Sequence, residues 1–362
     1  MATNKNQHFV PRCHLRPFTL NSKNAAINAF NIDRQYLIRN APVKNQCSRD
    51  YFYGKDEKLE KAIQFVESSY ANALSQVIAN HKTFNEGSKA VFRIFWLLQH
   101  MRTEATAIQA VAMSESTRVI ADIPPEEFSL GIKDAVQIAM KSFYESMHEI
   151  DDLKFCLIRN KTNLPFITSD NPAILTNKWH LTSHRSPGRS FGLGSAGALT
   201  FLPLTPDLLF VGYDGDVYNI PNNKGITEAR NERDVIAFNQ HQFLQCISNT
   251  YIHDSSYEAL LVNHYLESQP ARPKDRHITH YAEYDKTVGN HKRYAVVPAE
   301  SRDKTKEAFI HIQVIHPTPT LWPSHIHIRS KGSVYSNGTG LGYVRYSRAL
   351  RTSGKNFLRE RP

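Results

Sequence analysis

The side chains of this 362-residue chain best suited to acid–base and phosphate chemistry are a histidine near the start, an arginine closing an apolar helix and an Asp-Asn pair at a strand edge. His8 stands among Phe9, Val10 and Pro11. An imidazole titrates near neutrality, so it could serve as general acid or base, or it could be a satisfied core histidine. Arg102 follows the apolar run Phe92–Met101. An arginine ending a helix that buries one face pairs with a carboxylate or a phosphate. Glu60 is the candidate carboxylate, and that pairing would have no catalytic role. In Ser169-Asp170-Asn171-Pro172, a strand ends in polar side chains, where open sheets commonly place ligands. The structural reading is a turn in which Asp and Asn bond their own backbone and Pro172 sets the bend.

Taken together, His8, Arg102, Asp170 and Asn171 would converge on one pocket. His8 would move a proton, Arg102 would stabilise a developing phosphate charge, and Asp170 would orient the imidazole or hold a metal. Such a set suits phosphodiester cleavage. It needs no dedicated metal cage, and no cofactor is indicated, although a divalent metal stays an option.

The elements that must position these groups form an α+β chain. Ala26–Ile32 alternates as a half-buried strand, and Arg39–Pro42 reads as a turn. From about 56 to 152 the apolar residues recur near every 3.6 positions, predicting three or more packed helices, one of them starting at Pro124-Pro125-Glu126-Glu127. Phe155–Ile158, Phe166–Thr168, Leu199–Leu204 and Leu208–Gly212 read as strands, and Asn177–Gly197 as a long polar loop. Ile226–Asn249 reads as a helix carrying Asn239, a supporting residue. Gln269–Lys274 looks like a linker, with strands at Phe309–Ile315 and His325–Arg329 beyond it. The expected arrangement is a core domain over 1–268 with a mixed or antiparallel sheet and an inserted helical bundle. A basic, β-rich C-terminal module would occupy 269–362.

The formal charge of +10 is concentrated. From Pro270 onward there are 17 Lys and Arg against 7 Asp and Glu, which is the whole excess. A neutral body with a basic end is what contact with a polyanion would produce, although basic tails also merely keep proteins soluble. Arg345, Arg348, Arg351, Lys355 and Arg359 recur at spacings of three or four, one basic stripe if helical, with Gly354 weakening the helix. They are the candidate nucleic-acid contacts. No apolar run approaches the ~20 residues that cross a bilayer, and the polar opening residues lack a secretory signal. Cys13, Cys47, Cys156 and Cys246 are scattered, as expected of reduced thiols in a cytoplasmic protein.

Other signals fail on context. Gly192-Leu193-Gly194-Ser195-Ala196-Gly197 matches Gly-x-Gly-x-x-Gly, but a loop precedes it and a strand follows, the reverse of a dinucleotide site. His325-Ile326-His327 and Glu145-x-x-His148 have metal-ligand spacings without the remaining ligands.

The opening His8-Phe9-Val10-Pro11, followed by Leu15-Arg16-Pro17-Phe18, resembles the signature of a widespread microbial family of unknown function, numbered 4238 among such domains. Further matches follow in order: Tyr51-Phe52-Tyr53-Gly54 with Leu59-Glu60, Met101-Arg102-Thr103, Phe166 through Pro172, Leu202-Pro203-Leu204-Thr205-Pro206, and Asn239 ahead of Tyr251-Ile252. This chain has Glu104 where the family continues with Pro. The resemblance spans roughly 6–255 and brings no established chemistry. The reading from the residues is a nucleic-acid-directed hydrolase, an RNA-cleaving toxin or defence effector, with RNA the favoured partner. The alternatives are a non-enzymatic nucleic-acid-binding or sensor module and a small-molecule hydrolase.

Overall fold

Two sheets share one buried helix. The computed structural model describes residues 5–80, 84–185, 190–289, 291–303, 305–352 and 356–362, and the architecture is α+β. Among the described residues, the larger sheet runs in the order Ile226–Ala229, Lys154–Asn160, Leu208–Tyr213, Leu199–Thr205, Ile174–Thr176. Its first pair is parallel and the rest are antiparallel. Alternate side chains face opposite ways. Cys156, Ile158, Phe201 and Val211 pack against Val235 and Phe238 of the helix Glu232–Gln245. Leu157, Leu202 and Phe210 pack against Tyr70, Leu74, Phe92 and Trp96 of two helices on the other face. With both faces covered, the strands read as continuous apolar runs.

The second sheet, Tyr36–Pro42, Ala26–Asn31, Asn249–Ile252 and Thr168–Ser169, is antiparallel. Phe30 meets Phe243 and Tyr265 on one face, while Ile27, Ala29 and Tyr251 meet Phe9, Phe18 and Leu98 on the other. Ala26–Asn31 is therefore buried on both sides rather than half-buried. Arg39–Pro42 is not a turn but the end of a strand. Asn40 takes φ 57°, which Asn tolerates, at a register shift between Ile27 and Ala29.

The helix Glu232–Gln245 lies between the sheets with Ala237–Leu244 buried throughout. Burying polar side chains is costly unless they are hydrogen-bonded. Gln240 Oε1 accepts the N–H groups of Thr320 and Leu321, and Gln242 Nε2 donates to the Pro172 carbonyl. The expected start at Ile226 is wrong. Ile226–Ala229 is a strand, and the Asn231 side chain caps the helix by accepting the Arg233 N–H.

The bundle comprises Glu57–Ala79, Glu86–Met101, Glu104–Ile120 and Ile132–Ser146. Asp56, Asn85 and Thr103 accept N–H groups at three of the starts, a cap stabilising each helix by about 1 kcal/mol. Glu104 suits the first turn and pairs with Arg49. Pro124–Glu127 forms a single turn, and the helix begins only after Gly131, whose N–H is held by Asp134.

After residue 269, His277–Val288 pairs with His291–Val296 and Ala308–Val314 in a sheet that packs on Glu104–Ile120. Ser116 Oγ lies 2.7 Å from Thr279 Oγ1. Ile326 and Val334 are buried in the same cluster as Cys156 and Phe201, so this part completes the main core. No described helix is long and apolar enough to cross a membrane.

Candidate functional site

The segment from His8 to Phe18 is pinned to every layer. Phe9 N–H donates to the Cys47 carbonyl at 2.8 Å, and Gln99 Nε2 donates to the Phe9 carbonyl at 2.8 Å. His14, fully buried, bridges the Tyr70 hydroxyl at 2.9 Å and Thr168 Oγ1 at 3.1 Å. Burial, aided by the nearby Arg102 charge, drives its pKa down to about 3, so it is neutral and structural.

Held this way, the half-buried His8 faces a hollow of about 290 Å³ between the opening segment and the helix Glu57–Ala79. Glu60 and Glu67, Arg12, Cys13 and Tyr53 also line it. His8 Nδ1 lies 3.0 Å from the Gln46 carbonyl, which can only accept. The proton is therefore on Nδ1, and Nε2 keeps its lone pair with no partner among the described residues. Burial lowers the pKa of His8, the Gln46 bond opposes this, and the Arg12 and Arg102 charges add to the lowering. The imidazole is neutral at pH 7 and able to take a proton. Glu60 is buried. Its Oε1 accepts from Gln64 Nε2 at 3.5 Å, while Oε2 has no hydrogen-bond partner. Arg12 is exposed, with no carboxylate partner among the described residues.

The other expected site residues are committed elsewhere. Arg102 is fully buried, and its Nη1 donates to Glu67 at 2.6 Å rather than to Glu60. Its Nε and Nη2 donate to Gln99 Oε1 at 3.1 and 3.0 Å. Asp170 lines a different hollow and accepts three backbone N–H groups, those of Ile247, Ser248 and Asn249, each at 2.8 Å. Burial raises its pKa against the pull of those three bonds. Asn171 accepts from Thr103 Oγ1 at 3.0 Å and donates to the Gln245 carbonyl at 3.1 Å. Asn239 accepts the Ile167 N–H and donates to the Pro165 carbonyl. Asp170, Asn171 and Asn239 thus staple the central helix and the small sheet together. The single pocket of His8, Arg102, Asp170 and Asn171 does not form: His8 and Glu60 share one hollow, and Asp170 lines another.

The basic stripe does not form either. The helix covers only Tyr346–Arg351, and Arg359 sits on the strand Leu358–Glu360, bonded to Ser333 Oγ. Arg345 is buried, with Asp152 at 3.0 Å and the carbonyls of Leu193 and Glu149 around its guanidinium. The glycine-rich loop Gly192–Gly197 is the seat for this arginine. Arg348 and Arg351 pair with Glu149 at 2.9 and 3.7 Å. Lys355 lies outside the described residues.

Among the described residues no three His, Cys, Asp or Glu side chains assemble a metal ligand set. His325 Nε2 donates to the Glu228 carbonyl at 2.8 Å, with Nδ1 3.4 Å from Asp234. His148 lies beside Glu149. The four cysteines are free thiols.

A family model described as a protein of unknown function, DUF4238, matches residues 6–256. The chain belongs to this family. The match takes in the whole His8 hollow, the Arg102 corner and the Asp170 staple, and stops before the C-terminal sheet. No curated protein and no solved structure matches the chain.

Two residues of the hollow, Arg12 and Glu67, were not singled out from sequence. Glu60, Gln64 and Glu67 recur at i, i+4 and i+7, a polar line down the helix, and that spacing was the available signal.

Proposed function

We propose that the protein is an RNA-directed hydrolase whose reaction centre is the hollow of His8, Glu60 and Arg12. The observation that carries this reading is a neutral imidazole whose Nε2 keeps its lone pair, in the same hollow as a Glu60 oxygen without a hydrogen bond and an Arg12 guanidinium that donates to the Asn24 carbonyl and has no carboxylate partner among the described residues. A proton acceptor, a carboxylate to balance the imidazolium that forms and a cation for phosphate are parts phosphodiester cleavage can use. In this reading His8 Nε2 takes the proton of an RNA 2′-hydroxyl, and the Glu60 carboxylate in the same hollow balances the imidazolium. The 2′-oxygen bonds to phosphorus, the bond to the 5′-oxygen breaks, the departing oxygen takes a proton from water, and the hydroxide so formed takes back the proton held on His8. Arg12 pairs with the phosphate oxygens. Glu67 and Gln99 fix Arg102, which holds the wall of the hollow. A defence or toxin role is one setting for such an activity.

The test is incubation of the purified protein with labelled tRNA, mRNA and duplex DNA, with and without divalent metal. Cleavage of RNA but not DNA, ending in 2′,3′-cyclic phosphate, is expected. Cleavage of DNA at an equal rate would refute 2′-hydroxyl attack.

One observation favours the binding-module reading. On the sheet after residue 276, Tyr284, Tyr294, Phe309 and His311 form a ladder, with successive ring centroids 6.1, 4.7 and 6.5 Å apart. Tyr284 and Phe309 are exposed. Exposed rings in series are platforms for single-stranded bases. Substituting Phe309 by Ala weakens RNA binding if this face takes part, and leaves it unchanged if the His8 hollow is the whole site.

A further inference from the structure

A second cleft opens between the helix Glu104–Ile120 and the chain leading into the C-terminal sheet. It has two lobes, of about 290 and 400 Å³, that share Ala105, Gln109, Asn171, Gln245 and Arg276 as walls. Arg272, Lys274 and His277 line the larger lobe with Arg276, and Asp275 is its exposed carboxylate. Ile174, Leu175, Ile315 and Pro317 make much of the smaller lobe apolar, beside the His316 ring stacked on Phe191 at 3.6 Å.

The two arginines of this cleft are part-buried and held by backbone carbonyls. Arg102 and Arg345 are buried against carboxylates. Arg272 and Arg276 have no carboxylate within ion-pair distance among the described residues. Arg272 Nη1 donates to the carbonyls of Phe243 and Cys246, and Arg276 Nη2 donates to the Leu244 carbonyl at 3.1 Å. These bonds anchor each guanidinium to the end of the central helix and leave Nε and Nη1 of Arg276, and Nε and Nη2 of Arg272, without a hydrogen-bond partner among the described residues. The helix C-terminus they touch is the negative end of its dipole, which holds the two like charges in place without neutralising them. Burial and the Arg272 charge both lower the pKa of Arg276, as expected of a cation lacking its counter-ion. Two fixed guanidinium forks with free donors on one lobe match the oxygens of a phosphate, which arginine binds in bidentate fashion.

We propose that this cleft binds a nucleotide phosphate, with the phosphate on Arg272 and Arg276 and the nucleoside reaching past Asn171 into the apolar lobe. Gln109 and Asn171 line the passage between the lobes; the Asn171 amide is already bonded to Thr103 and Gln245, and the Gln109 amide is the one that would meet a base. The site is separate from the His8 hollow, with which it shares no lining residue. It therefore holds whether or not His8 is catalytic. The same chemistry comes from a free nucleotide or from the phosphorylated end of a strand.

Calorimetric titration of the full chain with AMP, GMP, CMP and UMP, and with a 5′-phosphorylated and an unphosphorylated tetranucleotide, tests it. Saturable binding of at least one phosphorylated probe is expected, weakening with added salt. Arg276→Met should lower its affinity on the order of 10- to 100-fold, the range of a lost charge-assisted bond pair. Lys274→Gln, at an exposed position, should lower it a few-fold and guards against misfolding of the first variant. His8→Ala should leave it unchanged. Preference for the mononucleotides marks a free ligand, and preference for the phosphorylated oligomer marks a strand end. No saturable binding of any phosphorylated probe would overturn the proposal, as would equal affinity in wild type, Arg276→Met and Lys274→Gln.

Discussion

Asp170 is the residue at which a structural and a catalytic role diverge most sharply, and replacing it gives a quantitative expectation. Its carboxylate accepts three successive backbone N–H groups at the turn after the central helix, with Oδ1 serving Ile247 and Oδ2 serving Ser248 and Asn249. Asp170→Ala leaves three N–H donors unpaired in a part-buried turn. At about 1–3 kcal/mol for each donor, and allowing for water reaching some of them, the loss is on the order of 3–6 kcal/mol. Asp170→Asn can keep its oxygen at the Oδ2 position and so retain two of the three bonds, setting its amide against the Ile247 N–H. Its cost should be about 1–3 kcal/mol. Urea denaturation followed by circular dichroism measures both. The reasoning predicts a graded series, with Asn between wild type and Ala. Ala as stable as wild type, with RNA cleavage abolished, would refute the structural assignment and return Asp170 to the chemistry.

Three further expectations follow from the buried charges. His14 and His241 both have pKa values pushed down to about 3 by burial, so each is neutral in the fold and protonates more readily when unfolded. Their contribution is fully present above the ordinary histidine value near 6.5 and is lost as pH falls towards 3, on the order of 4 kcal/mol each at the acid end. A denaturation series from pH 8 to 4 should show this contribution level down to about pH 6.5 and stability falling from there towards pH 4, and a profile flat to pH 4 would contradict this. Glu67→Gln removes the carboxylate facing the fully buried Arg102 and should cost about 3–5 kcal/mol, read by urea denaturation. Arg345→Met, which strips the buried guanidinium from Asp152 and the glycine-rich loop, should destabilise by a similar amount, on the order of 3 kcal/mol, whereas unchanged stability would show the loop closes without it.

Patterns carried by neighbouring residues could be read before any coordinates. The apolar runs at Leu199–Leu204 and Leu208–Gly212 became a hairpin because two covered faces leave no room for polar alternation. The bundle was visible in its 3.6-residue period, and the ordered motifs from His8 to Ile252 pointed to the family. Signals with two local meanings were misread. Asn40 before Pro42 looked like a turn because the left-handed tolerance that serves turns also serves bulges. The central helix lacks an apolar face because it is buried on all sides, so its start could not be placed by periodicity.

Long-range pairings could not be read at all. Whether Asp170 is free or bonded depends on N–H groups 77 to 79 residues away, and whether Arg345 is a surface cation depends on Asp152. The charge count in the last quarter was correct as a sum. It could not reveal that Arg345, Arg348 and Arg351 are matched by acids from the core, while Arg272 and Arg276 are not.

The His8 hollow is tested most directly by the rate of metal-free cleavage of labelled RNA by wild type, His8→Ala and Glu60→Gln, each shown to melt as the wild type does. Loss of the base should lower the rate about 10²- to 10⁴-fold in His8→Ala, with a smaller fall in Glu60→Gln. Equal rates in wild type and His8→Ala would contradict the assignment of the reaction to this hollow.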